Sequence, residues 1–137
     1  MERKLETETA AIRSVLSEYV MAVERGDIER YARVVDHDPS MVNFGTDVSE
    51  RIVGWDALKK SMETQFAALK NTRIEVSEVT VTAAPGGEFA WATSMWTFGA
   101  TMAGQPLTQP VRCSWVLARR GPRWVIVHFH KSVGTAT

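Results

Sequence analysis

The hydrophobic pattern changes period once, near residue 72, and that change narrows the folds open to this chain. Before it, apolar residues recur at helical spacing. After it, they alternate every second position, as on a strand with one buried face. Helices written first and strands second give an α+β arrangement, not the interleaved order of a parallel α/β sheet.

The first half resolves into three helices. Ile12, Val15, Leu16, Tyr19, Val20 and Val23 form one apolar stripe. Gly26 stops that helix, and Asp27 can cap a short second one carrying Ile28, Tyr31, Val34 and Val35. Asp36-His37-Asp38-Pro39 reads as a turn, because Pro39 has no amide proton and biases Asp38 away from helix. A short strand is expected over Met41 to Phe44, then a polar loop through Gly45-Thr46-Asp47, then a second short strand over Arg51 to Val53. Trp55, Leu58, Met62, Phe66 and Leu69 mark a third helix that ends near Asn71.

The second half reads as a four-strand meander. Ile74 and Val76 share one parity and Val79 and Val81 the other, so a β-bulge is expected near Ser77-Glu78. Pro85-Gly86-Gly87, Ala103-Gly104-Gln105-Pro106 and Gly121-Pro122 supply the turns. Long curved strands wrapped around helices leave a cavity at their open end, the natural place to look for a site.

Composition removes several function classes. Lysine plus arginine equals aspartate plus glutamate at 16 each, so no net field recruits nucleic acid or an acidic membrane. Cys113 is the only cysteine, so no intrachain disulfide forms. The charged start Met1-Glu2-Arg3-Lys4-Leu5-Glu6 is unlike a signal peptide, and no apolar run approaches the ~18 residues of a membrane span. The expectation is one cytoplasmic domain over 1–137, ordered from about 7 to 133, with Met1–Glu6 and Gly134–Thr137 frayed.

Gly45-Thr46-Asp47, Glu50, Val53-Gly54-Trp55-Asp56-Ala57-Leu58 and Trp124-Val125-Ile126-Val127-His128-Phe129-His130-Lys131-Ser132 resemble the SnoaL-like branch of the nuclear transport factor 2-like superfamily. The last segment also resembles the end of the association (hub) domain of calcium/calmodulin-dependent kinase. The resemblance runs from about Ala11 to Ser132. It implies a cone-shaped α+β fold, with three N-terminal helices on a curved, mostly antiparallel sheet.

Tyr19-Val20, Ala22 and Gly26-Asp27 are similar to the first helix of ketosteroid isomerases. In that family a tyrosine and a protonated aspartic acid hold the oxyanion while an aspartate takes the proton. Tyr19 matches the tyrosine, but Asn43 falls where the base belongs, and no carboxyl lies near Cys113 to Trp115. An amide takes no proton at neutral pH, so steroid isomerase activity is not expected. The hub domain's pocket arginines fall on Trp96, Trp115 and Lys131, leaving one cation of three.

Other residues carry less. His128-x-His130 has metal-like spacing, but His37 is the only further histidine and a metal needs three or four ligands, so structural histidines are expected and no metal. Asp36, His37 and Asp38 read as turn residues, and Cys113 as a buried small hydrophobe. Asp47 and Glu50 either close one end of the cavity or fix the chain before the second strand. The register of the last hairpin is open: a two-residue loop puts Trp115 on the face of His128, whereas a longer loop or a bulge puts it with Phe129.

The resemblance favours the second arrangement. Val127, Phe129, Lys131, Trp115, Trp96 and Phe98 are then expected toward the cavity, with Tyr19 and Asn43 as candidate catalytic groups. The resulting expectation is a small-molecule-binding protein with an aromatic pocket and no cofactor, with room for isomerase-, cyclase- or hydratase-like chemistry. The alternative is a non-catalytic homo-oligomerising module. On either reading a homodimer is expected through the outer sheet face, with Trp91, Met95, Val116, Trp124, Ile126, His128 and His130 in the contact.

Overall fold

In a computed structural model, residues 2–135 are described. Helix α1 spans Glu2–Arg25, α2 Ile28–Val34 and α3 Trp55–Ala68. The strands are β1 Val42–Phe44, β2 Arg51–Val53, β3 Leu69–Ala83, β4 Phe89–Met102, β5 Gln105–Arg120 and β6 Arg123–Ser132. One six-stranded sheet runs in the order β2-β1-β6-β5-β4-β3. All its pairings are antiparallel except β1 against β6, where Phe44 lies opposite His130.

Helix α1 exists for its inner stripe. Ile12, Leu16, Tyr19, Ala22 and Val23 are all buried, whereas Arg13, Ser14 and Ser17 face out. It ends at Gly26, whose φ of 62° is the left-handed turn that glycine adopts without a Cβ clash. Asp27 then caps α2, its carboxylate accepting from Arg30 N at 3.0 Å, a contact worth about 1 kcal/mol. The helix begins at Glu2, so Glu2–Glu6 belong to α1, while Met1, Ala136 and Thr137 lie outside the described residues.

Strand β4 shows the expected alternation most plainly. Ala90, Ala92, Ser94, Trp96, Phe98 and Ala100 are buried against the helices, and Phe89, Trp91, Thr93 and Thr97 are exposed. The bulge foreseen on β3 lies between Ser77 and Thr80, with Glu78 at φ 52°. A second one lies between Lys70 and Arg73, with Asn71 at φ 53°. Asn71 therefore curves a strand rather than ending α3, which stops at Ala68. The prolines of β5, Pro106 and Pro110, pair only with β4, beyond the reach of β6, where a missing amide breaks no second ladder.

The last hairpin corrects half of the expected outer face. Its loop is short, with Arg120 paired to Arg123, yet a register shift follows: Leu117 pairs with Ile126 and Val116 with His128. Val127 is the surplus residue, half-buried, rather than a regular inward position. Beyond it Trp115 faces Phe129, as the bulge alternative requires. Before it the parity is reversed, so Trp124 (6% exposed) and Ile126 (1%) belong to the core and not to the outer face. Among the described residues, no helix is long and apolar enough to cross a membrane.

Candidate functional site

The interior of the cone is an aromatic block centred on Tyr19. Its ring centroid lies 5.1 Å from Phe129, 5.4 Å from Tyr31, 6.0 Å from Trp115 and 6.2 Å from Trp96. Trp115 is also 5.3 Å from Phe129 and 5.9 Å from Trp96. These are the separations of tilted and edge-on pairs, each worth about 0.5–1.5 kcal/mol beyond the area it buries. The Tyr19 and Tyr31 hydroxyls hydrogen-bond to each other, and burial pushes both phenols well above the ordinary tyrosine value. Tyr19 is thus a neutral core phenol whose hydroxyl is already engaged.

Asn43 is buried beside this block. Its Oδ1 accepts from Phe129 N at 2.7 Å, stitching β1 to β6, while its Nδ2 has no partner among the described residues. Lys131 extends inward from β6, with Nζ 5.2 Å from the centre of the buried Phe98 ring. Burial lowers its pKa, against the smaller opposing pulls of Cys113 and Glu50. Cys113 is buried next to it on β5, and desolvation raises its thiol to about 12.

Glu50 is a site residue that the sequence left undecided. The Gly45–Glu50 loop is closed by Gly45 N to Glu50 O at 3.0 Å and by Asp47 N to Glu50 Oε1 at 2.9 Å. A Cβ on Gly45 would come within 2.7 Å of the Glu50 carboxyl carbon, so only glycine lets that carboxylate fold back here. The loop both fixes the chain and brings Glu50 to the cavity. Asp47 holds the bend through Ser49 N and Oγ, and those bonds lower its pKa. Asp36 to Asp38 also act locally: Asp36 meets Arg120 at 3.1 Å, and Asp38 accepts from Ser40.

The aromatic block separates two spaces. A small one, about 40 Å³, is lined by Tyr19, Asn43, Glu50, Trp96, Phe129 and Lys131, with Gln65 and Ser61 of α3 opposite. A larger groove, about 360 Å³, runs between α1 and the sheet. Its walls are Leu16, Val20, Met21, Val76, Val79, Trp96 and Trp115, with Ser94 on the floor and Arg13 and Glu24 on the helix side. Three buried atoms of this wall lack a hydrogen-bond partner among the described residues: Ser94 Oγ, Trp96 Nε1 and Trp115 Nε1.

The expected single pocket is therefore two, with Trp96 shared between them. Trp115 belongs to the groove, Phe129 and Lys131 to the smaller space, and Phe98 lies beneath Lys131. The groove's other residues were not anticipated. Ser94 had a signal, being the one hydroxyl among the inward positions from Ala90 to Ala100 of β4. His128 Nδ1 donates to Val42 O at 2.6 Å, and His37 stacks on Trp55 at 4.1 Å. No three His, Cys, Asp or Glu side chains converge as a metal site among the described residues.

The SnoaL-like domain family matches residues 12–136, nearly the whole fold just described. This chain belongs to the SnoaL-like family. Solved structures of the NTF2-like superfamily share the architecture of this SnoaL-like chain. One is an NTF2-like superfamily protein from Salmonella enterica, with TM-score 0.86 and 20% identity over 96% of this chain and 94% of that one. Another is a proposed dehydratase of the NTF2-like family from Streptomyces avermitilis, with TM-score 0.86 and 17% identity over 96% and 99%. A third is a proposed calcium/calmodulin-dependent protein kinase II association domain from Xanthomonas campestris, with TM-score 0.77 and 18% identity over 92% and 87%. At these identities the likeness is one of fold. No curated protein matches the chain.

Proposed function

We propose that this SnoaL-like protein binds an apolar, ring-bearing small molecule in the groove between α1 and the sheet. One observation carries the reading: an otherwise apolar wall holds three buried polar atoms without partners, Ser94 Oγ, Trp96 Nε1 and Trp115 Nε1. Each such atom costs about 1–3 kcal/mol when left unpaired, and each belongs to a side chain that lines the groove. A pocket that is mostly aromatic and aliphatic with a few convergent polar groups is the usual makeup of a ligand site. Binding is favoured over isomerase-, cyclase- or hydratase-like catalysis because the groove offers few free ionisable groups. Glu24 is engaged by Ile74 N at 2.8 Å, and Arg13 lies at the exposed side. With Asn43 in place of a base, no isomerisation of a β,γ-unsaturated ketone above background is expected.

A metabolite-like library screened by thermal shift tests the proposal, repeated on Trp96→Phe and Ser94→Ala. The expected result is a stabilising ligand whose effect shrinks in both variants, while the unliganded variants hold or gain stability because a buried orphan has gone. Absence of any stabilising ligand, together with loss of stability in both variants, sinks the reading.

A second observation favours self-association as well. Phe89, Trp91 and Val116 are 52%, 50% and 36% exposed on the outer sheet face, with Met95, His128 and His130 on the same side. Pairing this patch across a two-fold axis with a second copy covers it, and two-fold dimers are the commonest closed assembly. Sedimentation at micromolar concentration should give a dimer and Trp91→Glu a monomer; a monomeric wild-type protein ends this reading.

A further inference from the structure

Lys59, Lys60 and Lys70 are exposed, whereas Lys131 turns inward and lines the smaller cavity. No carboxylate lies within 4 Å of its nitrogen among the described residues, and its nearest aromatic neighbour is the Phe98 ring. A charged ammonium in such surroundings loses water without gaining a close counter-ion, which favours the free amine. The titratable groups facing it are Glu50 from the loop, Cys113 from β5, Tyr19 from α1 and Tyr31 from α2. Glu50 is the one carboxyl among them, and burial holds Tyr19, Tyr31 and Cys113 protonated. The space of about 40 Å³ takes about one water at ~30 Å³ each, room for a carbonyl group and too little for the groove's ring-bearing ligand.

We propose that Lys131 is a nucleophilic amine that captures a short-chain aldehyde or ketone as an imine in the cavity between Tyr19 and Glu50. The Nζ lone pair attacks the carbonyl carbon, forming the C–N bond while the carbonyl π pair moves to oxygen. A proton passes from nitrogen to that oxygen by way of the Glu50 carboxylate and one bridging water, giving the carbinolamine. The C–O bond then breaks as the nitrogen lone pair closes the C=N bond, and the oxygen leaves as water with the second proton of the nitrogen, passed along the same route. Amine plus carbonyl becomes imine plus water, with nothing oxidised or reduced. Asn43 lines the same cavity, and its buried Nδ2, without a partner among the described residues, is a donor next to the oxygen while it carries charge. This site is separate from the groove and stands or falls without it.

The test is reductive trapping of the intact protein with propanal and cyanoborohydride at pH 7, followed by peptide mapping. Lys131 should be alkylated at least roughly tenfold faster than Lys59, Lys60 and Lys70, with its rate half-maximal below the pH of an ordinary lysine near ~10.4. Glu50→Gln, folded by circular dichroism, should slow that labelling, and Lys131→Met should abolish the fast phase. Labelling spread evenly over the lysines, or a Lys131 slower than the exposed ones, overturns the proposal.

Discussion

Strand β4 carries two surfaces on one backbone. Its even-numbered side buries Trp96 to 2% and Phe98 to 6% in the aromatic block, and its odd-numbered side leaves Trp91 half exposed. Both sides carry large apolar residues, those outside interleaved with Thr93, Thr97 and Thr101, yet only the inner one has the chain's own rings to pack against. A tryptophan on each face thus ends in a core on one side and in an uncovered patch on the other. What separates them is the three helices, which cover a single face of the sheet.

If the inner block holds the fold together, truncating it should hurt most. Trp115→Ala removes a ring packed on Tyr19, Trp96 and Phe129, and should cost about 3–5 kcal/mol in chemical denaturation. A loss below about 1 kcal/mol would mean that the rings are loosely held. Asn43→Ala is expected next, at about 1–3 kcal/mol, because it leaves the Phe129 amide without its acceptor. Asn43→Asp keeps an acceptor there and should recover part of the loss.

The third effect is a slope in pH. The Cys113 thiol is raised to about 12 in the fold by burial, against an unfolded value near ~8.5. Its stabilising contribution is fully present below that unfolded value and is lost as pH rises toward 12, at up to about 1.4 kcal/mol per pH unit. Tyr19 and Tyr31, also raised, act in the same direction, while Lys131, lowered by burial, acts in the opposite one. Cys113→Ala should flatten the alkaline slope by the thiol's share, and an unchanged slope would show that the thiol is not shielded. Smallest of all, Trp91→Thr on the outer face should move monomer stability by less than about 0.5 kcal/mol.

Much of the inner face was legible because α1 keeps one stripe, which puts Tyr19 on its apolar side, and because β4 alternates without interruption, so that the resemblance had only to choose the face for Trp96 and Phe98. The bulge at Glu78 was legible too, since Val76 and Val79 sit on conflicting parities. Trp124 and Ile126 were misassigned because Trp124 to Val127 is a continuous apolar run, and such a run hides the residue where parity flips. The role of Glu50 was hidden for a different reason. A carboxylate folded back against Gly45 depends on loop geometry that no periodicity encodes. The groove escaped notice because its walls come from α1 and from two strands far along the chain, a meeting that only the packed fold makes visible.

Val127 acts on the pleat as an inserted letter acts on a reading frame. Three successive residues before it, Trp124, Val125 and Ile126, are all buried, and after it Phe129 and Lys131 point inward while His130 does not. Were Val127 to take a regular place in the ladder, everything downstream would turn over, sending Phe129 and Lys131 to the outer surface and the two histidines into the cone. Asn43 would lose its hold on the Phe129 amide at the same stroke. A one-residue insertion beside Val127 should thus be far more damaging than deletion of Val127, which leaves every downstream pair in place, because length at this position is itself a coded instruction about which residues of the strand face the interior.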